Sequence, residues 1–325
     1  MIKDIVLWLY WIPFRKVAQV APYGVLMAFA RFVGLVVCLL FSKQRKARAA
    51  MLDELGLNGG MGAVRRSFQV EFQIWFETLL YPKLNPRNIG GIVEIEGKEI
   101  LDTALEAGKG AMLLFAHFGA NQMVMAGIGH RGYTMCQFST PPSVWVEKMK
   151  NRRFSPMKRR SLEIQWEHEL SLPVTHINIF GSLKKAFVCL KDNGVLGLAM
   201  DGGGGKTRAV VEFFGRKAMF STGAMDIALR TGCAVIPVFM IRLANGRHRM
   251  ILRRPLALDS GADHTAEALR GTQLFASLLE DYTRRYPCHY VSFMVFRRIM
   301  ETQENDTPLF VKDGAGEEAG GALSI

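Results

Sequence analysis

The stretch richest in chemistry runs from Leu113 to Met123, LLFAHFGANQM, where an apolar run stops at His117 and is followed by Phe118, Gly119 and the amides Asn121 and Gln122. A histidine just past the end of a buried strand can serve as a general base on a hydroxyl. Gly119 allows a tight backbone turn. If a helix begins within the next few residues, its exposed N–H groups can hold an oxyanion. The competing reading is a histidine that merely bonds a turn, and that reading would win for a histidine standing alone.

Other constellations are thinner. DGGGGKT, Asp201 to Thr207, suggests a phosphate loop, but Met200 stands where the pattern needs glycine and a strand follows instead of a helix. No G-x-S-x-G elbow occurs. No closely spaced His/Cys/acid set suggests a metal, since His168 and His176 are too far apart for a helical pair. No cofactor is expected. Arg216 and Lys217 could meet a phosphate, or form a solvated basic turn. Ser221 and Thr222 suit a helix start. The bases Lys148, Lys150, Arg152, Arg153, Lys158, Arg159 and Arg160 could dock an acidic carrier or anionic headgroups, or simply face water.

The elements that must position His117 are legible from pattern. From about Val93, short apolar runs alternate with helical ones: GIVEIEG, AMLLFA, YTMCQF, VLGLAM, VVEFF, AVIPVFMIRL, RMILRRPLAL and HYVSFMVF as strands, with helices between them. Such alternation predicts an α/β domain, a largely parallel sheet flanked by helices on both faces. In that architecture His117 sits at the carboxyl edge, where open α/β sheets bind ligands. Ala63 to Leu80 is an amphipathic helix, broken by the two prolines of YPKLNPRN.

Hydrophobic residues make up 49% of the 325 and charged ones 22%, enough for a sizeable core. The five cysteines are scattered without a C-x-x-C pair, which favours a reducing compartment. Six of the 29 acidic residues and one of the 41 basic ones follow Met300, so the first 300 residues carry +17 against +12 for the whole chain. A polyanion is the natural partner. Nucleic acid explains the charge but not the N-terminus, where IVLWLYWIPF precedes Val20 to Phe41, an apolar run long enough to cross a bilayer core of about 30 Å. Arg31 near its middle costs about 2.5–3.5 kcal/mol on insertion scales, which leaves a spanning and an interfacial helix both open. The expected organisation is a membrane anchor over 1–48, the α/β domain over 49–300, and an acidic, Gly-rich, disordered tail over 301–325.

Two ordered blocks give the chain a family resemblance. GKEILDTALEAGKGAMLLFAHFGANQM resembles the H-x-x-x-x-D/E block of the lysophospholipid acyltransferases, nearest to the bacterial late acyltransferases of lipid A, which carry H-F-G-N-W-E. Further on, Asp201, Phe213-Phe214-Gly215, Thr222-Gly223 and Pro237 fall in the order that branch shows. The likeness covers roughly Arg65 to Arg298. It implies a glycerolipid acyltransferase-like fold and transfer of a fatty acyl group from acyl-carrier protein or acyl-CoA to a hydroxyl, less readily an amine, of an amphipathic lipid acceptor. It further implies work at the cytoplasmic face of a bacterial inner membrane, with the anionic membrane as partner and no nucleic acid.

Carried over, the resemblance makes His117 the base and puts Gln122 where the acid belongs. It also implies binding roles for Gly119, Asn121, Phe214, Gly215, Arg216, Lys217 and Thr222. A glutamine can fix a tautomer but supplies no charge. Three readings stay open: another acid, Asp201 or Asp226, completes the dyad; the reaction needs a weaker base; or catalysis is lost and lipid or carrier binding kept. A second departure is QFSTPPSVWVEKMKNRR, where the branch has a Tyr-Arg-Pro setting, and it leaves the acceptor open.

Overall fold

The computed structural model describes residues 2–148, 153–202, 205, 207–304 and 307–311. A seven-stranded sheet forms its centre, built from β1 (Val93–Glu96), β2 (Ala111–Phe115), β3 (Met135–Ser139), β4 (Thr175–Asn178), β5 (Val195–Ala199) and two further strands introduced below. β6 (Arg208–Phe213) and β7 (Arg216–Ser221) form a separate hairpin; β8 (Ala234–Arg242) and β9 (His248–Leu252) return to the main sheet. The order is β1-β9-β8-β2-β5-β3-β4, with β8–β9 the one antiparallel pairing. The largely parallel α/β sheet expected from the alternation is therefore present.

β2 explains why the sheet is covered on both faces. All five of its residues are buried. Met112 and Leu114 join one core, while Ala111, Leu113 and Phe115 join the other. Successive strand side chains point to opposite faces, so a continuous apolar run needs helices on each.

The chain begins with α1 (Ile2–Leu9), a π-turn at Tyr10–Phe14 that contains Pro13, and α2 (Arg15–Ala18). α3 (Tyr23–Leu40), α4 (Ser42–Glu54) and α5 (Gly60–Thr78) follow. α6 (Ile89–Ile92) leads into β1, and the connections between strands use α7 (Lys98–Glu106), α8 (Met123–Gly129), α9 (Pro142–Lys148), α10 (Pro156–Leu170), α11 (Lys184–Lys191) and α12 (Gly223–Thr231). α13 (His264–Arg285) and α14 (Val291–Glu304) close the fold.

Three differences from expectation matter. HYVSFMVF is not a strand: Pro287–His289 is a 3-10 turn and Val291 opens α14. Its aromatic and β-branched residues suggest a strand, yet Tyr290, Phe293, Met294 and Arg297 repeat at helical spacing. Thr175–Asn178 and Arg216–Ser221 are additional strands. Finally, α14 runs past residue 300 to Glu304, and Leu309 is buried where the chain bridges Ala218 to Phe310. Residues 305, 306 and 312–325 of the expected tail, with Lys150 and Arg152 of the basic cluster, lie outside the described residues.

Candidate active site

Parallel register brings the site together. β2 pairs β5 with Phe115 opposite Ala199, and Met200 N–H donates to the Phe115 carbonyl at 3.0 Å. Two residues past each of those partners stand His117 and Asp201. Their side chains meet: His117 Nδ1 lies 2.7 Å from Asp201 Oδ1. The His117 backbone N–H donates to Asp201 Oδ2 at 2.9 Å. Tyr290, just before α14, donates its hydroxyl to the same Oδ2 at 2.9 Å.

The Asp201 side chain is fully buried while that of His117 is 40% exposed. A buried carboxylate is tolerable when donors saturate it, and three donors converge here. Because an ionised carboxylate only accepts, Nδ1 carries the imidazole proton and Nε2 is left as the basic nitrogen. Burial, reinforced by the Asp201 charge, holds the Tyr290 phenol well above its ordinary value, so it stays a donor at any working pH. Phe293 stacks on the imidazole at 4.3 Å and 5°. On another side, a Cβ at Gly202 would stand 3.3 Å from His117 Cε1, so the start of the glycine-rich loop passes beside the ring.

Gln122 engages other groups. Its Oε1 accepts from the Tyr81 hydroxyl at 3.2 Å and its Nε2 donates to Glu169 Oε1 at 3.0 Å. Burial lifts the Glu169 carboxyl to about 7, against the pull of Gln165 and Gln122. Asp226 is likewise committed, accepting from Thr207 at 3.2 Å and Thr222 at 3.3 Å. Of the two acids weighed as replacements, Asp201 is the one placed against His117.

The other expected site residues have structural surroundings. Gly119 has φ +60°, and a Cβ there would come within 2.2 Å of the Met240 carbonyl oxygen, so only glycine fits. Asn121 is half-buried at the turn before α8. Phe214 and Gly215 are the two central residues of the β6–β7 turn, at φ +54° and +67°, as a type I′ turn requires. The Phe214 N–H donates to Glu280 Oε2 at 2.6 Å, and Arg284 lies over its ring at 5.0 Å. Those contacts offset the cost of a left-handed phenylalanine.

Arg216 binds Glu54 at 2.5 Å together with Arg298 at 2.6 Å, and its guanidinium covers Phe310 at 4.1 Å. Lys217 is exposed on the same hairpin. Thr222 precedes α12. The hairpin reaches the site indirectly, through Phe213 packed edge-on against Tyr290 at 6.5 Å. Tyr290, Phe293, Tyr81 and Glu169 escaped the sequence reading. The helical spacing of Tyr290 and Phe293 was the one available signal.

The arrangement can accept a proton at Nε2 while a fixed negative charge stabilises the resulting imidazolium. A family model described as bacterial lipid A biosynthesis acyltransferase matches residues 1–298. The chain belongs to that family and is an acyltransferase acting on lipid. A comparison with curated proteins finds no match.

Proposed function

We propose that this member of the lipid A biosynthesis acyltransferase family moves a fatty acyl group from a carrier thioester to a hydroxyl of a membrane lipid, with His117 as base and Asp201 as its charged partner. The observation that carries the reading is the 2.7 Å contact between His117 Nδ1 and a fully buried carboxylate that two further donors hold. His117 Nε2 removes the acceptor hydroxyl proton as its oxygen attacks the thioester carbonyl carbon. The carbon–sulfur bond then breaks, and the imidazolium returns its proton to the departing thiolate.

Asp201 keeps Nδ1 protonated, aims Nε2 outward and stabilises the transient positive charge. Gln122 is bonded instead to Tyr81 and Glu169. Acyl-carrier protein or acyl-CoA is the donor, and the basic segment that includes exposed Arg153 and Arg159 suits an acidic carrier. The lipid acceptor and the apolar N-terminal helix support work at the inner membrane, on its cytoplasmic face, where such thioesters are made.

The direct test incubates wild type and His117→Ala with both donors and total bacterial lipid, reading products by mass spectrometry. An acylated lipid that disappears in the variant is expected. No product from wild type with either donor, alongside retained binding of acylated carrier, would instead support a silent binding protein.

A further inference from the structure

Tyr23–Leu40 is apolar and long enough to cross a membrane. At about 1.5 Å per residue it rises roughly 27 Å, near the thickness of a hydrocarbon core. Length therefore does not decide its orientation; its packing does. One face of α3, comprising Leu26, Met27, Ala30, Gly34 and Cys38, is buried. Gly34 lies so near α5 that a Cβ would sit 2.7 Å from the Phe68 carbonyl oxygen and 2.8 Å from Gln69 Cα. Gln73 Nε2 donates to the Met27 carbonyl at 3.3 Å, and the Tyr23 hydroxyl to Glu77 Oε1 at 2.5 Å. A spanning α3 would drag α5 with it, and α5 carries Arg65, Arg66, Glu71 and Glu77. Each such charge at mid-bilayer costs about 2.5–3.5 kcal/mol or more.

Arg31 supports the same conclusion. Its Nη1 donates to the Ala244 carbonyl at 3.2 Å, on the side of the sheet domain. The opposite face is left wholly apolar, with Val25, Phe29, Phe32, Leu39, Leu40 and Phe41 exposed. α1 exposes Ile5, Val6, Trp8 and Leu9, and the π-turn that follows it packs on α3 where Phe14 meets Phe29 at 6.0 Å. Lys3, Lys16, Lys43 and Lys46 are exposed around these faces. No acidic residue occurs between Asp4 and Asp53, and Asp4 is bonded to Ser155. An apolar face with a purely basic rim is complementary to an anionic lipid surface.

We infer that α1–α3 form an in-plane docking face seated on an anionic leaflet, with both ends of α3 on one side of the bilayer. This rests on the acyl-transfer reading only in placing the acceptor lipid in that same leaflet. Lys3→Cys and Lys46→Cys, made singly in the full chain, test it. Each is treated with a membrane-impermeant maleimide in spheroplasts and in inverted inner-membrane vesicles, with the unsubstituted chain as background. Labelling of both in inverted vesicles alone is expected. Labelling from opposite sides would overturn the inference.

Phe32→Asp with Leu39→Asp, its fold checked by circular dichroism, should lower binding to phosphatidylglycerol vesicles about tenfold or more. Unchanged binding, or a soluble dimer with this face covered, would overturn the inference as well. Neither assay reads acyl transfer, so failure of that chemistry leaves these results intact.

Discussion

At the scale of the residue, what matters is how Asp201 is held. It is fully buried and receives the His117 backbone N–H, the His117 imidazole and the Tyr290 hydroxyl. Removing one charge-assisted donor costs about 1.5–3 kcal/mol. Tyr290→Phe should therefore lower kcat about tenfold or more and shift the pH–rate profile, while Tyr290→Ala should also unseat Phe293. Gln122→Glu distinguishes the present site from a weakened version of the family motif. It would set a second carboxyl against Glu169, whose own carboxyl burial already lifts to about 7. The expected outcome is no gain in transfer and a fall in melting temperature that grows above neutral pH, because two carboxylates in contact cannot both ionise cheaply. A clear rise in rate would mean that Gln122 faces the reacting imidazole.

At the scale of the element, a buried charge cluster fastens α3 and α5 to the sheet. Glu77 on α5 is bonded by Arg242 of β8 at 2.6 Å, His248 of β9 at 2.6 Å and Tyr23 of α3 at 2.5 Å. Burial alone would raise its carboxyl, but Arg242 and His248 hold it down at about 2. A carboxyl depressed in the folded state adds stability that is present above its ordinary value and lost as pH falls through the folded one. The protection of α3 from hydrogen exchange, relative to the intrinsic rate at each pH, should thus fall as pH drops from about 4.5 to about 2. Glu77→Gln should abolish that dependence and cost about 3–5 kcal/mol at neutral pH, since it leaves Arg242 buried and unpaired. Gly119→Ala should destabilise the loop after β2 by more than about 1 kcal/mol, as measured by thermal unfolding, because its Cβ meets the Met240 carbonyl.

Viewed as a whole molecule, what the sequence made legible and what it hid divide along physical lines. Strand–helix alternation and apolar runs such as AMLLFA report burial on both faces, so the parallel sheet and the edge position of His117 could be read from them. Register could not be read. Asp201 stands beside His117 because β2 pairs β5 with Phe115 opposite Ala199, a fact of tertiary pairing that leaves no local trace. Tyr290 and Phe293 were concealed by a β-favouring composition that tertiary packing overrode, for α14 buries Val291 and Met294 against the core. Some short motifs also have a local structural reason. Phe213-Phe214-Gly215 marks a type I′ hairpin, and Arg216 beside it clamps Glu54. The N-terminal apolar run was legible as a helix long enough to cross a membrane, but its docking on α5 was not.

In the proposed reaction Asp201, and not the residue five places after His117, supplies the negative charge for acyl transfer. Rates of transfer from a carrier thioester to lipid should be compared for wild type, Asp201→Asn and Gln122→Ala, each shown to be folded. Exchange of an orienting acid for its amide costs about four decades in serine proteases, and a loss of that order is predicted for Asp201→Asn. Gln122→Ala should stay within about tenfold of wild type, a change of no more than about 1.4 kcal/mol in the barrier. Equal activity of Asp201→Asn and wild type, or collapse in Gln122→Ala alone, would contradict the account.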